Sequence, residues 1–63
     1  MRLEWAGPGV LRVTSPAYEF AALVAAARHV AEAAPRDIPQ EALEDLRRVL
    51  GEYDRQVARL HGG

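Results

Sequence analysis

A chain of 63 residues that is 49% hydrophobic has room for one small core, and since 12 of its residues are alanine only 19 large apolar side chains remain to build it. A domain this short buries only about 60% of its unfolded surface, and with no cysteine it has neither disulfides nor thiolate zinc sites to add stability. Together with eight basic against nine acidic residues, a net charge of −1 and a pI near 6.0, this excludes two domains, a disulfide scaffold, a spanning helix, a disordered tail and a strong overall field toward nucleic acid or anionic lipid.

All eight basic residues are arginine, and lysine and asparagine are absent. That usage, with abundant Ala, Gly and Pro, is expected of a GC-rich genome. The missing Asn and Cys are compatible with a thermophilic source, although the lysine enrichment common in such proteins is lacking. Met1-Arg2-Leu3-Glu4 opens no apolar run, so a cytoplasmic protein without signal or transit peptide is expected.

Residues 2–14 carry strand-forming residues around a breaker, Ala6-Gly7-Pro8-Gly9. Gly7 and Gly9 can supply positive φ and Pro8 fixes its own, so a β-hairpin is predicted. Alternation places Leu3, Trp5, Leu11 and Val13 on the expected core face, with Val10, Arg12 and Thr14 turned outward. An isolated two-stranded hairpin is marginal in water. It must therefore lie on helices, pair with another sheet edge, or both.

Ser15-Pro16 reads as a helix start, with Ser15 capping and Pro16 in the first helical position, and predicts a first helix over 16–34. Phe20, Leu23, Val24, Ala27, Val30, Ala31 and Ala34 form one apolar stripe at helical spacing. A second, small-residue side carries Ala22, Ala25, Ala26 and Ala33 with His29 among them. A helix apolar on two sides wants cover on both. The second helix and the hairpin supply one cover, which leaves the alanine side for another subunit. Ala22, Ala25, Ala26, His29 and Ala33 are accordingly the candidate self-association residues.

Pro35-Arg36-Asp37-Ile38-Pro39 breaks the period, with Asp37 and Gln40 or Glu41 resembling a capping arrangement. The second helix is predicted over 39–60. Its Leu43, Leu46, Leu50, Tyr53, Val57 and Leu60 alternate spacings of three and four, an unbroken seam. Leu46, Leu50 and Tyr53 are expected to pack on Phe20, Val24, Ala27 and Val30 within one chain, because the short connection folds the second helix back along the first. Glu44 and Arg48 form a favourable i,i+4 pair on the outer face. Gly51 costs the helix about 1 kcal/mol unless something approaches it closely, and His61-Gly62-Gly63 reads as a stop.

No catalytic constellation emerges from two His, two Tyr, one Ser, one Thr and nine carboxylates. His29 and Glu32, at i,i+3, supply two of the four ligands a closed metal site needs, and His29 reads better as a packing residue. His61 suits the negative end of a helix dipole. Gly7-Pro8-Gly9 leads into a strand instead of a helix N-terminus, so it is a turn and not a phosphate loop. Trp5, Tyr18 and Phe20 read as core before they read as a stacking platform. Arg47, Arg48, Arg55 and Arg59 read as a solvated, largely self-paired face.

The order of strand 10–14, first helix and second helix resembles ribbon-helix-helix repressors, which pair strands across a dimer and insert the ribbon into the DNA major groove. That resemblance implies a DNA-binding regulator and is the alternative reading. Arg12 is the one strong base reader it offers, and the strand at Leu3 to Trp5 turns the ribbon into a hairpin. The expected architecture is α+β, an N-terminal β-hairpin followed by an antiparallel two-helix hairpin (ββαα), one domain over 1–63 completed by homo-oligomerisation. The expected role is a non-enzymatic interaction or accessory module without cofactor or metal. Its partners are further copies of itself or an unidentified protein, rather than nucleic acid or membrane.

Overall fold

The computed structural model describes residues 1–62. Its elements are β1 (Arg2–Gly7), β2 (Val10–Thr14), α1 (Ala17–Ala33) and α2 (Gln40–Gly62), an antiparallel hairpin followed by two helices.

Leu3 lies across from Val13, Trp5 from Leu11, Glu4 from Arg12 and Arg2 from Thr14, so the four expected apolar residues do share a face. Gly7 then pairs with Val10, which leaves Ala6 as an extra residue in β1. Pro8 explains the slip. The two-residue turns that match strand twist need positive φ at their first central position, which proline cannot adopt. Gly9 supplies the positive φ, at 69°, while Gly7 does not. The bulge absorbs the mismatch between this turn and the twist of the strands.

The start of α1 differs from expectation. Pro16 is the cap residue, with φ −57° and ψ 142°, and its carbonyl accepts the amides of Glu19 and Phe20 at 3.0 and 3.4 Å. Ser15 is thus one residue too early to cap: its hydroxyl donates to the Pro16 carbonyl at 3.2 Å, and no side chain caps the helix. At the other end Ala34 takes a left-handed conformation, φ 46° and ψ 59°, and its amide donates to the Val30 carbonyl at 2.9 Å. Pro35 follows and cannot continue the helix. The last turn of α1 has no basic residue of its own. Arg47 supplies one from α2, donating through Nη2 to the Ala31 carbonyl at 2.9 Å.

Leu43 donates its amide to the Pro39 carbonyl at 3.2 Å and α2 begins at Gln40, three residues beyond Asp37, which is too far out to serve as the cap. The helix continues through His61 to Gly62. The expected stop at His61 and Gly62 is therefore not made there, and Gly63 lies outside the described residues.

The α2 seam packs within the chain. Leu43 is 3% and Leu50 8% exposed, and Leu46, Tyr53 and Val57 are half-buried, as are Val24, Ala27, Val30 and Ala31 of α1. The rings of Phe20 and Tyr53 meet at 5.6 Å between centroids, an ordinary separation for an aromatic pair. Arg28 of α1 hydrogen-bonds Asp54 of α2. That bond, with the carboxylate's charge, raises the guanidinium above its usual pKa. Arg48 pairs with Asp45 at 3.0 Å instead of the expected Glu44.

The hairpin departs furthest from expectation. Among the described residues the strands contact each other and the helices contact each other, but no strand lies against a helix backbone. The expected core face is open, from 40% exposed at Val13 to 76% at Trp5. Two residues, Ser15 and Pro16, separate β2 from α1. The extended backbone at Pro16 sends α1 away from the sheet, and α2 already occupies the side of α1 that is packed.

Truncating Leu50 to alanine is expected to lower stability by roughly 2–5 kcal/mol, equally at every protein concentration, when urea unfolding is followed by circular dichroism. Two glycine exchanges should act in the opposite direction. An added Cβ at Gly51 meets only an Arg55 nitrogen at 3.7 Å, so Gly51→Ala recovers about 0.5–1 kcal/mol of helix propensity. Ala34→Gly relieves a left-handed alanine by a similar amount, about 1 kcal/mol. Each should raise the Tm by roughly 4–8 °C per kcal/mol in a domain of this size.

Candidate interaction surface

Leu3, Trp5, Leu11 and Val13 form the apolar side of the hairpin, and below them the face ends on Phe20. A groove of about 360 Å³ lies between hairpin and α1, lined by Leu11, Val13, Ser15 and Phe20. The Met1 amino group adds a polar tie to α1, 3.5 Å from Glu19 Oε1. Hairpin and helices thus meet through side chains at one corner.

Phe20 also lines a second groove of about 360 Å³, between the start of α1 and the end of α2. Ala17 and Ala21 complete its α1 side, and Tyr53, Val57, Leu60 and His61 line it from α2. Leu60 stands level with Ala17, where α1 begins, and is 81% exposed. Seam spacing alone placed it in the core, but there is no α1 left to cover it.

All five candidate residues, Ala22, Ala25, Ala26, His29 and Ala33, are exposed. At about 100° per residue they lie on the side of α1 turned away from Val24, Ala27 and Ala31, which face α2. Leu23, assigned to the packed stripe by spacing, is 55% exposed beside them. Trp5 and Tyr18 are likewise not core, since both are about three-quarters exposed. Of that aromatic set only Phe20 finds a ring to pack on.

The polar side of the hairpin carries Arg2, Glu4, Arg12 and Thr14. Arg12 lies directly across from Glu4, so its charge is offset by the nearest residue on the partner strand. Among the described residues no three His, Asp or Glu side chains are grouped to hold a metal ion, and no helix is long and apolar enough to cross a membrane. What the surface offers chemically is apolar area in two connected grooves and one small-residue helix side. Comparison with protein-family models, curated proteins and solved structures finds no match to this chain.

Proposed function

We propose that the chain is a small interaction or accessory module that associates with itself, with the alanine side of α1 forming a contact between copies. The observation that carries this reading is an excess of surface. The chain exposes 5313 Å², whereas a compact monomer of 6.9 kDa exposes about 4,000 Å². A standard protein interface takes about 800 Å² from each partner, so the excess of roughly 1,300 Å² is of the size an interface removes. The radius of gyration of 13.4 Å also exceeds the roughly 11 Å of a compact chain of this length. Ala22, Ala26 and Ala33 suit such a contact because small side chains let helices approach closely.

Sedimentation across micromolar concentrations should find a dimer or larger assembly, and Ala26→Glu should dissociate it. A monomer at every concentration, with no loss of stability on dilution, would sink this reading.

Binding of DNA through Arg12 is the alternative that the ribbon-helix-helix resemblance implies. The Glu4 opposite Arg12 and the net charge of −1 weigh against it. No retention of duplex DNA is expected even at low salt. Salt-dependent, sequence-selective binding abolished by Arg12→Ala would reverse the ranking.

A further inference from the structure

Beside the alanine side of α1, the described residues leave a second apolar surface uncovered. That surface lies on the opposite side, where the hairpin face, Phe20 and the end of α2 run together through two grooves that share Phe20. We propose that this concave surface seats a second copy of the same chain, Trp5 of each copy filling the groove between the α1 start and the α2 end of the other. The proposal rests on the self-association reading and adds to it a second, independent contact.

Four observations carry it. Trp5 is the one tryptophan of the chain and 76% exposed, and a single aromatic of this size brings about 150–250 Å² to a contact. The groove that receives it, about 360 Å³, is lined by Ala17, Phe20, Ala21, Tyr53, Val57 and Leu60, with His61 as the one titratable side chain in the lining besides the Tyr53 phenol. Of the surplus of surface over a compact monomer, about 1,300 Å², an alanine-side contact of standard size takes about 800 Å² and leaves roughly 500 Å², more than one buried tryptophan requires. Finally, knob and hole lie on the same chain, so two copies related by a twofold axis can each supply both. Near-neutral net charge sets up little repulsion between two copies, while Glu4 and Arg12 stay on the outer face of the hairpin.

The test follows Trp5 emission and sedimentation together on the full chain. At high concentration the emission is expected to be blue-shifted, and the shift should be lost on dilution in step with the assembly. Trp5→Ala, or Leu60→Glu in the wall, should weaken association by roughly 30-fold or more, the effect of an interface hot spot, whereas Glu4→Gln should leave it unchanged. Both main variants alter residues at least three-quarters exposed in the single chain, and circular dichroism confirms that each still folds. Mixing the two variants restores one of the two contacts, so the mixture should associate more tightly than either alone. An assembly with solvent-like Trp5 emission, indifferent to both variants, overturns this contact and leaves self-association through the alanine side standing. A monomer at all concentrations overturns both, whereas a blue shift that appears only with added lipid vesicles or another protein overturns this contact alone. A blue shift in a stable monomer places Trp5 under its own chain and also defeats the proposal.

Discussion

Nineteen large apolar side chains have to serve two layers in this chain, and the packing of α1 on α2 uses those that matter most. Among the described residues, Leu43 and Leu50 are the two buried side chains, and both keep a few per cent of their surface exposed. The half-buried apolar residues of α1 are valines and alanines, Val24, Ala27, Val30 and Ala31, thin cover for a long helix. Once α2 occupies that side, no third element is left to lie over the sheet. The open hairpin follows from the number of elements as much as from their geometry: with two helices and two strands, one layer can be sealed and the other can only be abutted.

Connection lengths decide which layer is sealed. Residues 34–39 turn the chain back on itself, and three features hold that turn: the left-handed Ala34, Pro35 behind it, and Arg47 reaching over to the last carbonyls of α1. The link from β2 to α1 is just Ser15 and Pro16, with the proline extended. The stiffer, shorter link directs its elements apart, whereas the longer one lets its elements meet side by side. Local pairings dominate as a result, strand with next strand and helix with next helix, the arrangement that closes with the least loop entropy.

Most of the architecture was legible in the residues because it rests on local rules. The breaker at Gly7-Pro8-Gly9, the prolines at 16, 35 and 39, and the three-four spacing of the α2 leucines mark the elements and the seam. Alternation also identified the face shared by Leu3, Trp5, Leu11 and Val13. What periodicity does not encode is cover. It says which side of an element is apolar, not whether a neighbour lies there, so Trp5, Leu23 and Leu60 were assigned partners that the topology does not supply. The grooves around Phe20 escaped for the same reason, since each draws residues from elements far apart in sequence. The signal available was an excess: more apolar faces than elements to cover them. Ser15 and Asp37 show a smaller limit, because a one- or two-residue shift in a helix start removes a cap that composition alone makes attractive.

The helical pair is fastened unevenly. At the turn it is held by the buried Leu43 and by Arg47 on the Ala31 carbonyl, and further along by Arg28 on Asp54 and Phe20 against Tyr53; beyond them Ala17 and the 81% exposed Leu60 line an open groove. Opening free energies within a fold track such local differences in burial and bonding, so the two helices behave as a clothes peg hinged at residues 34–39. The jaws are the walls of the groove beside Phe20, where the least burial opposes opening. A groove placed there is expected to yield in width more readily than one beside the turn, so what enters it need not match a slot cut to one size.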